Sequence, residues 1–182
     1  MKKVFLSVVC LIGLIQSYSQ SKSIQVEKLA SATAFSPEKK LAASASGNIV
    51  SIYNAEGHIF KSISVKVVDP ITYETKVGDV PALAFSPTGD SIAIATKSGS
   101  ILLGGTSTEL LKTICNDTKI GPMSALAISP NGSWVLGSSG NKLSLWDVNG
   151  YGILQEFDKP NTGYYLVDIS TSGSLGDGGG GV

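Results

Sequence analysis

One four-residue block, repeated along the chain, constrains the fold more than any other feature. Ala34-Phe35-Ser36-Pro37 returns as Ala84-Phe85-Ser86-Pro87 and as Ala127-Ile128-Ser129-Pro130, with a weaker copy at Asp168-Ile169-Ser170-Thr171. The steps from Phe35 to Phe85, Ile128 and Ile169 are 50, 43 and 41 residues. A period of this size means one supersecondary unit used several times, each burying its apolar faces on its neighbours.

Within each unit the apolar period is two. Ile92 and Ile94 alternate with Ala93 and Ala95, and Leu143 and Leu145 alternate with Ser144 and Trp146. Side chains on a strand alternate between its two faces, so this is strand behaviour. Asn131-Gly132 is a strong hairpin signal, because both residues tolerate positive φ. Gly47-Asn48 and Gly140-Asn141 mark the next turns. The first unit parses as strands over 31–36, 40–46, 48–54 and 58–67. The second gives 82–86, 91–96, 100–104 and 109–115, and the third 123–129, 133–138, 141–147 and 153–158. Residues 164–170 begin a fourth. The expected fold is all-β, with blades of four antiparallel strands in a β-propeller: about three full blades and the first strand of another.

The residues also resemble a known family. Ser144-Leu145-Trp146-Asp147-Val148 looks like the Trp-Asp signature that closes the third strand of a WD-repeat (WD40-like) blade, and Gly121 to Pro130 is similar to the turn and first strand before it. The resemblance covers residues 31 to about 170. It implies structural roles for Phe35, Pro37, Phe85, Pro87, Ile128, Pro130, Trp146 and Asp147, with Trp146 packed between blades and Asp147 tightening a turn. It also implies that residues 23–29 form an outer strand of the last blade. The family's Gly-His is Gly121-Pro122 here and is absent from the other copies, so a His-centred buried network is not expected.

The N-terminus reads as an address. Met1-Lys2-Lys3 precedes an apolar run from Val4 to Ile15, and Ser17 and Ser19 fit the small-residue positions before a cleavage site. A membrane-spanning helix needs about 17–25 apolar residues, so this run is read as a signal peptide over 1–19. The expected product is exported, periplasmic or secreted, and has no stable membrane insertion after cleavage. Residues 20–175 would form the propeller, and 176–182 a Gly-rich flexible tail. Closed propellers use about 4–8 blades. The count therefore leads to the expectation of a partial propeller, or of a homo-oligomer if the chain is complete.

Composition excludes several classes. The 14 basic residues are all Lys, balanced by 14 acids, so the basic Arg-bearing face of a nucleic-acid binder is missing. His58 is the sole histidine and lies in a polar turn, and Cys115 is the sole cysteine outside the leader. Neither a Ser-His-Asp arrangement nor a structural zinc site is expected from that inventory. The reading has no catalytic residues, no cofactor and no metal. The segment from Val68 to Pro81 lengthens the first interval and offers Tyr73, Glu74 and Lys76 as binding candidates. The expected function is a non-catalytic, exported protein-interaction scaffold. Two alternatives stay open: the propeller portion of a larger secreted enzyme such as a peptidase, and a small-ligand or sugar-binding propeller.

Overall fold

A computed structural model describes residues 29–36, 38–68, 71–108, 111–116, 120–149, 152–158, 168–169 and 175–176. The leader at 1–19, Pro37 and residues 177–182 lie outside the described residues, as does all of the 23–29 segment except Leu29. The described residues form strands and turns only.

The first blade is β1 (Ala32–Ser36), β2 (Leu41–Ser46), β3 (Ile49–Tyr53) and β4 (Ile59–Ser64), hydrogen-bonded in that order. A two-stranded hairpin follows, β5 (Lys66–Val68) and β6 (Thr75–Val77). The second blade is β7 (Ala82–Phe85), β8 (Ser91–Ala95), β9 (Ser100–Gly105) and β10 (Leu111–Asn116). The third is β11 (Ala125–Ile128), β12 (Trp134–Ser139), β13 (Lys142–Asp147) and β14 (Ile153–Asp158). A short pair, β15 (Asp168–Ile169) and β16 (Leu175–Gly176), comes last. The expected four-stranded antiparallel units are present. Gly176, read from sequence as the start of a flexible tail, pairs with Asp168.

The core lies between blades rather than inside one sheet. In β8, Ile92 and Ile94 pack toward the first blade, while Ala93 and Ala95 pack toward the third. That division explains the Ile/Ala alternation: a sheet covered on both faces needs apolar residues at every position. Bulges adjust the outer strands. A register shift between Thr113 and Cys115 turns β10 over, so Leu111 packs on the first interface and Cys115 on the second.

The repeated serine organises the turn after β7 and the turn after β11. Ser86 Oγ accepts the Ser91 N–H at 3.1 Å, and Ser129 Oγ accepts the Trp134 N–H at 2.9 Å. Gly89 and Gly132 supply the positive φ, 71° and 70°. The first blade has no glycine there. Lys40 takes φ 53° instead, and Ser36 Oγ is buried without a partner. A left-handed conformation costs an L-residue about 1–2 kcal/mol. Lys40→Gly should therefore stabilise the protein by about 1 kcal/mol, the lower part of that range, in urea denaturation. A loss of stability would refute the strain at Lys40.

A lysine on each of two outer strands ties its blade to the next. Lys61 Nζ donates to Gly105 O at 3.1 Å and to Thr108 O, and Lys112 Nζ donates to Val148 O. Lys61 lies opposite Ile52, and Lys112 opposite the matching Leu103. The third blade has Gln155 in that place, opposite Leu145. Lys39 and Asp90 add an ion pair of 3.0 Å between the first two blades. The hydrogen bond from Lys39, and then that from Thr88, holds the Asp90 carboxyl below its ordinary value.

Candidate functional site: an exposed hairpin between the first two blades

The segment read from sequence as one strand over 58–67 and a loop beyond it divides differently. β4 ends at Ser64, and the chain changes sheets at Val65. The Val65 N–H still donates to Asn48 O at 2.8 Å, within the first blade. Its carbonyl accepts the Gly78 N–H at 3.2 Å and starts the hairpin. Alternation continues through the switch, which is why the sequence reads as unbroken strand. The supposed loop from Val68 to Pro81 contains β6.

The hairpin is fixed at its base and on one edge. Val65, Val67 and Val80 are buried in the first interface core. The Val80 N–H donates to Gly47 O at 2.9 Å, and Ser31 Oγ donates to Val80 O at 2.7 Å. Asn116 Nδ2, from the second blade, donates to Val68 O at 2.9 Å, while Asn116 Oδ1 accepts from Ser100 Oγ at 2.8 Å. Asn116 begins a match to the N-glycosylation pattern, yet its amide is the clip that holds β5.

The outward face sets two exposed valines beside one lysine and one threonine. Lys66 lies across from Val77, and Val68 from Thr75. Directly opposed residues share one face of an antiparallel pair, and here that face is exposed. Beyond it stand Ile71 and Tyr73, each 81% exposed. Tyr73 also has a positive φ of 57°. A bulky residue there is strained, and its ring is not buried in the core.

Of the sequence candidates, Tyr73, Glu74 and Lys76 all lie on this hairpin and are exposed. Val68, Ile71 and Val77, which complete the patch, were not singled out from the sequence. Their signal was an excess of apolar residues between two buried valines.

The repeat-block residues go elsewhere. Phe35, Phe85 and Ile128, with Ile169, line an open recess of about 320 Å³ beside the neighbouring inner strands. Pro87 lines it as well; Pro130 is half-buried in its turn. Trp146 is 1% exposed, in the core between the second and third blades. Asp147 Oδ1 accepts the Asn149 N–H at 2.8 Å in the following turn. His58 is exposed in its turn, where its N–H donates to Asn54 Oδ1. Among the described residues, no three His, Cys, Asp or Glu side chains group as metal ligands would.

The lysine ties were missed by sequence reading, although a second short block marks them. Phe60-Lys61-Ser62-Ile63 and Leu111-Lys112-Thr113-Ile114 share one pattern.

Residues 109–147 match the family described as WD domain, G-beta repeat. The match takes in β10, the outer strand of the second blade, and ends on β13 of the third. The sequence repeat is thus offset by one strand from the structural blade. No curated protein matches the chain. The chain thus carries a WD40 repeat match over 109–147, set among four-stranded antiparallel sheets like the blades of a β-propeller.

Proposed function

We propose that the protein is an exported, non-catalytic scaffold that binds a protein partner on the β5–β6 hairpin. The observation that carries this reading is a set of exposed large side chains, Val68, Ile71, Tyr73 and Val77, held on an anchored hairpin. Binding residues on loops positioned by a rigid frame are a common arrangement. Tyr73 supports it further: its strained backbone and unburied ring fit a side chain presented to a partner. The WD40 match supports a protein partner, because repeats of this family generally mediate protein association. The leader-like N-terminus supports export, and the scarcity of nucleophile–base combinations supports a role without chemistry.

A photo-crosslinking residue placed at Tyr73 in the native host tests the surface, with His58 as a second exposed site. A discrete crosslinked band from position 73 and none from position 58 is the expected result. Equal bands from both, or none from 73, would contradict it. N-terminal sequencing of the exported product should begin at Gln20; a product that keeps Met1 would contradict export with cleavage.

A further inference from the structure

The pairing of the hairpin leaves one backbone edge open. The Gly78 N–H donates to Val65 O, which puts 65 and 78 at a hydrogen-bonded position of the ladder. Such pairs alternate along an antiparallel ladder, so Val67 and Lys76 form the next one. The N–H and C=O groups of Thr75 and Val77 therefore point away from β5. Among the described residues neither makes a bond on that side, and both are exposed. The opposite edge differs, because Asn116 already occupies the Val68 carbonyl there.

We propose that this β6 edge takes an extended segment of the partner protein as an added strand. The inference rests on the hairpin being the docking surface and names the kind of partner it fits. A row of outward N–H and C=O groups is satisfied by another extended backbone, which is how peptides add to exposed sheet edges. The added strand would continue the outward face, so its side chains there lie beside Val77 and Thr75, with Tyr73 and Ile71 at one end. Apolar residues suit those positions. Lys66, on the same face, forms no ion pair among the described residues and favours one carboxylate on the incoming segment.

The probe is a capped hexapeptide alternating valine with threonine and glutamate, titrated into the full chain and followed by NMR. A control peptide carries N-methyl groups on its inward-facing amides. The expected result is slowed exchange of the Thr75 and Val77 amides with the first peptide, and binding about tenfold weaker, or worse, with the control, since a net hydrogen bond is worth about 1 kcal/mol or slightly more. Val77→Pro removes an edge-facing N–H and leaves the β5–β6 bonds in place, and it should weaken binding to a similar degree. If that variant does not fold, the two peptides still decide the matter. Equal binding of the methylated peptide, or no protection of Thr75 and Val77 at the highest soluble concentration, would overturn strand addition. Should crosslinks from position 73 persist with either of those results, the hairpin survives as the docking surface and only the added strand is lost. Absence of crosslinks from position 73 sinks the reading beneath it.

Discussion

Trp146→Ala should cost about 3–5 kcal/mol, the range for removing a large aromatic from a packed core. Trp146 sits among Met123, Leu126, Ile128 and Val135, where the second and third blades meet. Its ring lies against bare backbone: a Cβ on Gly137 would come within 2.9 Å of Trp146 Cζ3. Losing the ring opens a cavity that these neighbours cannot fill without moving two blades. Trp146→Phe should be much milder. The indole Nε1 is buried without a partner, and an orphaned buried donor costs about 1–3 kcal/mol. Phenylalanine removes that donor while keeping most of the apolar contact, so a loss under about 1.5 kcal/mol is expected from the partial offset of lost volume. Guanidinium unfolding of both variants tests the pair. Equal losses for Ala and Phe would mean that the indole N–H does have a partner.

Gly89→Ala should cost about 2–4 kcal/mol, combining left-handed strain with overpacking. Gly89 has φ 71° at the turn between β7 and β8. A Cβ there would stand 2.3 Å from Ser36 Oγ and 2.9 Å from Lys39 Cβ, both in the first blade. Lys39 Cβ is next to backbone and cannot swing away. Relief would part the two blades and weaken the Lys39–Asp90 pair. Gly132→Ala is the internal control. It has nearly the same φ, 70°, but open space where the Cβ would go. Only the conformational part, about 1–2 kcal/mol, should appear there. Equal losses in thermal unfolding would show that contact between the first two blades at Gly89 contributes nothing.

The blades were legible in sequence because their signal is redundant. The Phe/Ile-Ser-Pro block marks the inner strand of all three units, and Asn-Gly or Gly-Asn turns add to it in the first and third. The Trp146 environment was legible too. Trp146 was expected to pack between blades, and it lies in the core where the second and third blades meet. The hairpin was not legible in full. Val65 belongs to two ladders at once, and alternation alone does not report a change of partner strand. The blade-tying lysines were hidden for another reason. Their contacts reach the backbone carbonyls of Gly105, Thr108 and Val148, and a carbonyl carries no residue-specific signature. Lys40 shows a third limit. It holds the positive φ that glycine holds in the other blades, one residue later in the turn, so the glycine pattern pointed past it.

Amide hydrogen exchange of the free, full chain reads out both features of the hairpin on its stack of blades: the anchored base and the open edge. The Gly78 and Val80 amides, which donate to Val65 and Gly47, should exchange slowly, like those of the blade strands, while the Thr75 and Val77 amides exchange as open ones. Fast exchange at Gly78 and Val80 would mean that the hairpin is not anchored. Protection of Thr75 and Val77 in the free protein would mean that the edge is already covered, and either result would rule out an anchored hairpin with an open edge.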